Sequence, residues 1–153
     1  MALKRVDALL ADYASYHRTR GNLLSHAFGI TLIVFGILSM LHAVPVAGYW
    51  TASEVLVLTA FLFYVTLDVP LAVGVAGAAI LLDLAARAAG SWRVGASAFV
   101  AGWILQGIGH AVFEKNSPAF FRNLVHLMVG PAYLVNEALR IRPVRASPSG
   151  QGP

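Results

Sequence analysis

Five histidines and no cysteine set the terms of the chemistry open to this chain of 153 residues. A metal would have to be held by nitrogen and oxygen, since thiolate zinc, cysteine-ligated iron–sulfur clusters and thiolate haem are excluded, as are disulfides. Trp103, Gln106, His110 and Glu114 follow one another at steps of three and four, so on a helix they share one face. Asn22, His26 and Gly29 form a similar row. Leu3, Val6, Leu10, Tyr13 and His17 draw a third face, apolar until the imidazole that closes it. Imidazoles with a carboxylate are a common set for zinc, iron, copper or manganese. Ferrous non-haem iron fits such a set and keeps positions open for oxygen and substrate; on ligand type alone zinc fits almost as well.

The elements that must position these residues are apolar. Hydrophobic residues make up 58% of the chain and charged residues 12%, about half the share in an average soluble domain. Mean hydropathy is +0.71. The composition predicts an all-α integral membrane bundle of about four transmembrane helices. An N-terminal interfacial helix would precede it and a C-terminal amphipathic or re-entrant helix would follow. Residues 3–17 carry the interfacial pattern. Gly21 and Asn22 read as a helix end and an N-cap. Spans are expected over Leu23–Val44, Ser53–Leu67, Leu71–Ala89 and Val94–Phe113, separated by Pro45 and Gly48, by Asp68-Val69-Pro70 and by Gly90-Ser91. Gly74, Gly77 and Ala78 in the third span suit close helix packing. Ala119–Leu139 is a weaker apolar stretch interrupted by Arg122, Asn123, His126 and Pro131. Residues 1–142 form one membrane-embedded domain in this reading, and 143–153 a disordered tail.

Basic residues cluster in the N-terminal segment (Lys4, Arg5, Arg18, Arg20) and the C-terminal part (Lys115, Arg122, Arg140, Arg142, Arg145), with Arg87 and Arg93 elsewhere. Four spans with both termini cytoplasmic satisfy this bias. The net charge of +4 is then explained by anionic lipid headgroups and topology, and a nucleic-acid partner is not expected. The same topology brings His17, His26, His110 and His126 to one membrane level, with Asp68 in the nearby reversal. His42, 16 residues beyond His26 and about 24 Å along a helix, sits at the opposite surface.

A lone histidine at a membrane surface is usually just an interfacial polar residue, but four at one level favour a metal site. His26 and His110 are the strongest candidates, then His17; His126 is divided between ligand and headgroup-facing residue. Glu114 is a ligand, an acceptor that orients a histidine, or an ion-pair partner for Lys115 or Arg122, the orienting role being favoured. Gln106 faces the same place, as a polar catalytic group or, more plainly, an interhelical hydrogen bond. Asp83 and Arg87, four apart, suit a structural pair.

The blocks that carry this convergence resemble a known family. Tyr13-Ala-Ser-Tyr16-His17-Arg-Thr-Arg-Gly-Asn22-Leu-Leu-Ser-His26-Ala-Phe-Gly29-Ile is similar to the opening signature of the 2-hydroxy fatty acid dioxygenases, a fungal endoplasmic-reticulum enzyme of fatty-acid α-oxidation and its bacterial relatives. Trp103-Ile-Leu-Gln106-Gly-Ile-Gly109-His110-Ala-Val-Phe113-Glu114-Lys115-Asn-Ser-Pro118-Ala119 resembles the second, and the run from Gly130-Pro131 to Glu137 the looser end of the domain. The likeness covers about residues 7–141, with Thr31 standing where the family usually has proline.

The resemblance implies an Fe(II)-dependent dioxygenase. It would take a long-chain 2-hydroxy fatty acid and O2 and release the acid one carbon shorter. Carried over by position, His17, His26 and His110 hold the iron, and Glu114 and His126 complete or orient the set. The enzyme would sit in a bacterial inner membrane, or in the endoplasmic reticulum if eukaryotic, with membrane lipid around it and room for a homo-oligomer. Two other readings compete: another membrane-embedded metal enzyme such as a zinc-dependent lipid hydrolase, and a non-enzymatic scaffold or small transporter. Few spans and no charge near the bilayer midplane weigh against transport.

Overall fold

The computed structural model describes residues 2–114 and 125–144, with side chains over 5–113 and 125–144. Lys115, Ser117, Pro118, Ala119, Arg122, Asn123, the tail from Arg145 and the side chain of Glu114 lie outside the described residues. Among the described residues the fold is all-α, six helices with one small hairpin.

Helix α1 (Ala2–Ser15) buries Val6, Leu10 and Tyr13, the apolar face read from its spacing, against α6 (Val125–Leu139). The chain turns over 16–19, and α2 (Arg20–Leu41) begins where the Thr19 hydroxyl accepts the amide of Asn22. The cap is therefore Thr19 rather than Asn22, and Gly21 lies inside the helix rather than ending one. Its missing side chain is explained by packing: a Cβ at Gly21 would meet the ring of Phe113, with Cε1 2.6 Å away.

A hairpin of β1 (Pro45–Ala47) and β2 (Trp50–Thr51) turns at Gly48, whose φ of 57° favours glycine. Thr51 and Glu54 then form a reciprocal capping box that starts α3 (Ala52–Val65). Asp68 caps α4 (Val69–Ala89) by accepting the Leu71 amide at 2.9 Å, Pro70 sits in its first turn, and Gly90 ends it in the left-handed region. Helix α5 (Trp92–Ile108) runs on into a π-helical turn, Gly109–Glu114.

Three helices among the described residues are long and apolar enough to cross a membrane: α2, α4 and α5 with its π turn. The expected second span, Ser53–Leu67, is observed at nearly the same length, and it is short. At 14 residues α3 reaches about 21 Å, against roughly 30 Å of hydrocarbon. The capping box fixes its start, and its last turn ends at Thr66 and Leu67.

The tightest packing is between α2 and α5, which run antiparallel. A Cβ at Gly36 would lie 2.6 Å from the carbonyl of Gly95, one at Gly102 2.6 Å from that of Gly29, and one at Gly109 2.5 Å from Oδ1 of Asn22. Asn22, Gly29 and Gly36 thus face Gly109, Gly102 and Gly95, two rows stepping by seven; the two glycine pairs meet backbone to backbone, and Gly109 meets the Asn22 side chain. The small residues expected to do this in the third span act differently: Gly74 receives Val135, while Gly77 faces open space.

Both ends of the bundle are tied by ion pairs. At one, Arg142 binds Asp7 and Asp68 through contacts of 2.7 Å, joining α1, α4 and the segment after α6. At the other, Arg87 pairs with Glu54, Ser53 donates to Asp83, and Nε2 of His42 lies 3.1 Å from Asp83. The expected Asp83–Arg87 pair is not the one formed. Asp83 is turned inward to Ser53 and His42, while Arg87 stands exposed beside the α3 carboxylate.

Candidate metal centre

Three helices deliver three imidazoles to one place. His17 follows the end of α1, His26 lies nearly two turns into α2, and His110 sits in the π turn after α5. All are buried, at 7%, 2% and 4% exposure. Their ring centroids are 4.3 Å apart for His17 and His26, 5.2 Å for His17 and His110, and 4.7 Å for His26 and His110, every pair edge to face. One nitrogen from each lies within 4.8 Å of the others.

The backbone orients two of these rings. Nδ1 of His17 bonds the carbonyl of Tyr13 at 2.8 Å, and Nδ1 of His26 that of Asn22 at 3.0 Å. A carbonyl only accepts, so both rings carry the proton on Nδ1 and keep Nε2 basic, the tautomer a metal ligand needs. Asn22 is itself held, fully buried, by its side-chain amide on the carbonyl of Tyr16 and by Gly109 against its oxygen. Tyr13 stacks on His17 with centroids 4.1 Å apart. Burial, helped by the charge of Tyr133, pushes its phenol well above the usual range and keeps that ring neutral.

The π turn matters for His110. A wider turn inserted at the end of an α-helix changes the direction of the side chains that follow, and such turns recur at functional sites. Gly109 allows it to press on Asn22. Nitrogens sharing an ion at about 2.1 Å sit roughly 3–3.5 Å apart, so small ring adjustments bring this set to ligating distance. Three buried imidazoles, two of them oriented by backbone carbonyls, suit a divalent transition metal.

His126 is near but apart. Its Nε2 lies 2.9 Å from Asp12, and its ring is 6.0 Å from Tyr13 and 5.8 Å from Tyr16. Nδ1 is buried without a hydrogen-bond partner among the described residues. Asp12 looked like one of the charges on the solvent side of α1, and nothing in the sequence marked it as the partner of a residue 114 positions away. Asp68 belongs to the Arg142 clamp.

His42, Glu54 and Asp83 form a second group with metal-like spacing. Its members are already engaged by Thr51, Ser53 and Arg87, which marks it as an ion-pair network. His42 stands at the other end of α2 from His26, as expected.

From the three imidazoles a cavity of about 470 Å³ runs into the bundle. Gln106 and Trp103 line it beside His110, so three of the four residues in the expected row face the site; the fourth is Glu114. Beyond them the walls are aliphatic, from Ile30 down to Leu38 on α2 and from Val75 to Leu82 on α4.

Comparison with known proteins bears on the same residues. A family model described as 2-hydroxy-palmitic acid dioxygenase Mpo1-like matches residues 3–141. The 2-hydroxy-palmitic acid dioxygenase MPO1 of Saccharomyces cerevisiae is 33% identical over 134 residues, covering 85% of this chain and 77% of the yeast protein. No solved structure matches.

Proposed function

Because the chain belongs to the Mpo1-like family of 2-hydroxy-palmitic acid dioxygenases, we propose that it oxidises long-chain 2-hydroxy fatty acids with O2, using ferrous iron held by His17, His26 and His110. The observation that carries this reading is the closure of three sequence-distant imidazoles around one point at the head of an apolar cavity. The reaction balances without an external reductant. One hydroxy acid and one O2 give the acid one carbon shorter, carbon dioxide and water, a four-electron oxidation matched by full reduction of oxygen. When bound, the iron supplies the means of activating O2 and a Lewis-acidic seat for the oxygens of the hydroxy acid.

The chain's own residues do the rest. The carbonyls of Tyr13 and Asn22 hold two imidazoles in the ligating tautomer. Gln106 offers an amide to the carboxylate or hydroxyl of the substrate, and Glu114 orients a ligand or receives a proton. His126, braced by Asp12, flanks the acid head instead of ligating. The aliphatic walls exclude water and receive the tail.

In this reading the active end lies at the cytoplasmic headgroup level with both termini cytoplasmic, in a bacterial inner membrane or, in a eukaryote, the endoplasmic reticulum. The purified chain, loaded with Fe(II), is expected to convert 2-hydroxyhexadecanoate to pentadecanoate in air and not under nitrogen. Lipid hydrolysis independent of oxygen would instead establish the zinc hydrolase.

A further inference from the structure

The cavity has a head, a length and an end. Its head is the imidazole cluster. Along α2 it runs from His26 to Leu38, about 18 Å at roughly 1.5 Å per residue. That is comparable with the ~15 Å filled by the acyl chains of one leaflet.

Its end coincides with the ion-pair network. Leu38 precedes Ser39, Leu82 precedes Asp83, and Leu56 lies just past Ser53 and Glu54. Leu38 is 2% exposed, Ser53 is fully buried, and Asp83 binds both Ser53 and His42. A methyl terminus pushed further would have to break buried polar contacts and leave their partners unsatisfied. Midway, α4 presents Ala78 and Ala79 where the other walls carry larger groups such as Ile33, Val34 and Phe99.

We propose that this cavity is a length gauge for a single acyl chain, kept open at mid-depth by Ala78 and Ala79 and stopped by Leu38 and Leu82 against the His42–Asp83–Ser53 network. The assignment of the acid head to the imidazole end rests on the proposed function; the gauge itself is a property of the walls.

The test reads binding without added metal or turnover. Trp103 lines the cavity, so replacing Trp50 and Trp92 by phenylalanine leaves one reporter, quenched by acyl chains brominated at mid-length. The full chain in nanodiscs is titrated with brominated 2-hydroxyhexanoate, whose chain stops short of mid-depth, and brominated 2-hydroxyhexadecanoate. Ala79→Leu is expected to weaken the longer acid about tenfold and leave the shorter one unchanged, as overfilling an occupied interior does. Leu82→Ala, which lengthens the cavity, is expected to shift preference toward longer acids and keeps the test available if Ala79→Leu does not fold. Equal loss for both acids in Ala79→Leu, or an unshifted preference in Leu82→Ala, overturns the gauge. Oxygenase activity in the unsubstituted chain would be untouched by that failure, and a correct gauge would survive the absence of turnover.

Discussion

At the residue scale, the imidazoles differ in what surrounds them, and so in what their loss should do. His17 and His26 are oriented by carbonyls of their own preceding turns, while His126 leans on Asp12. His126→Gln is expected to leave metal content unchanged while lowering turnover several-fold, read by metal analysis beside a product assay. Loss of the metal in that variant would place His126 among the ligands. The row Trp103, Gln106, His110 was legible because helical periodicity fixes which residues share a face. The bond from His126 to Asp12 was not, because periodicity carries no information about contacts between distant helices. Nor could it reveal that His110 sits in a π turn, which begins at Gly109 where that residue lies against Asn22.

At the element scale, the pairing of α2 with α5 sets the distance between His26 and His110. No carbon fits at Gly102 without displacing the carbonyl of Gly29. Gly102→Ala is expected to cost roughly 1–3 kcal/mol by overpacking and to reduce metal loading although it touches no ligand. Gly77→Ala, which meets nothing, should be neutral or stabilising by up to about 1 kcal/mol through helix propensity. Thermal unfolding in detergent together with metal content checks both, and equal effects would contradict the assigned packing. The spans were readable from hydropathy to within a few residues. The seven-residue glycine rows were not singled out, since glycine is common in membrane helices and only the partner row gives the spacing its meaning. The shortness of α3 was legible too, since the expected span Ser53–Leu67 is itself shorter than a straight crossing requires.

At the scale of the whole molecule, the two ends of the bundle have different tasks. One gathers His17, His26 and His110; the other is tied by the network of His42, Asp83, Ser53, Glu54 and Arg87. If α2 to α5 pass the bilayer in turn, the hairpin near Tyr49 and the start of α1 lie on opposite sides. The absence of cysteine makes this simple to test. A membrane-impermeant maleimide is expected to label Tyr49→Cys in intact cells, and Arg5→Cys only after the membrane is opened. The reverse pattern would place the imidazole cluster on the outer face, and labelling of both in intact cells would show that the chain does not cross as proposed.

The central claim is that His17, His26 and His110 share one iron ion. The most direct measurement is metal content of the purified chain beside His26→Ala and His110→Ala, with helical circular dichroism confirming the fold. One iron per chain is expected in the unsubstituted protein, falling to background in both variants. Variants that retain the full metal with unchanged structure would contradict the claim.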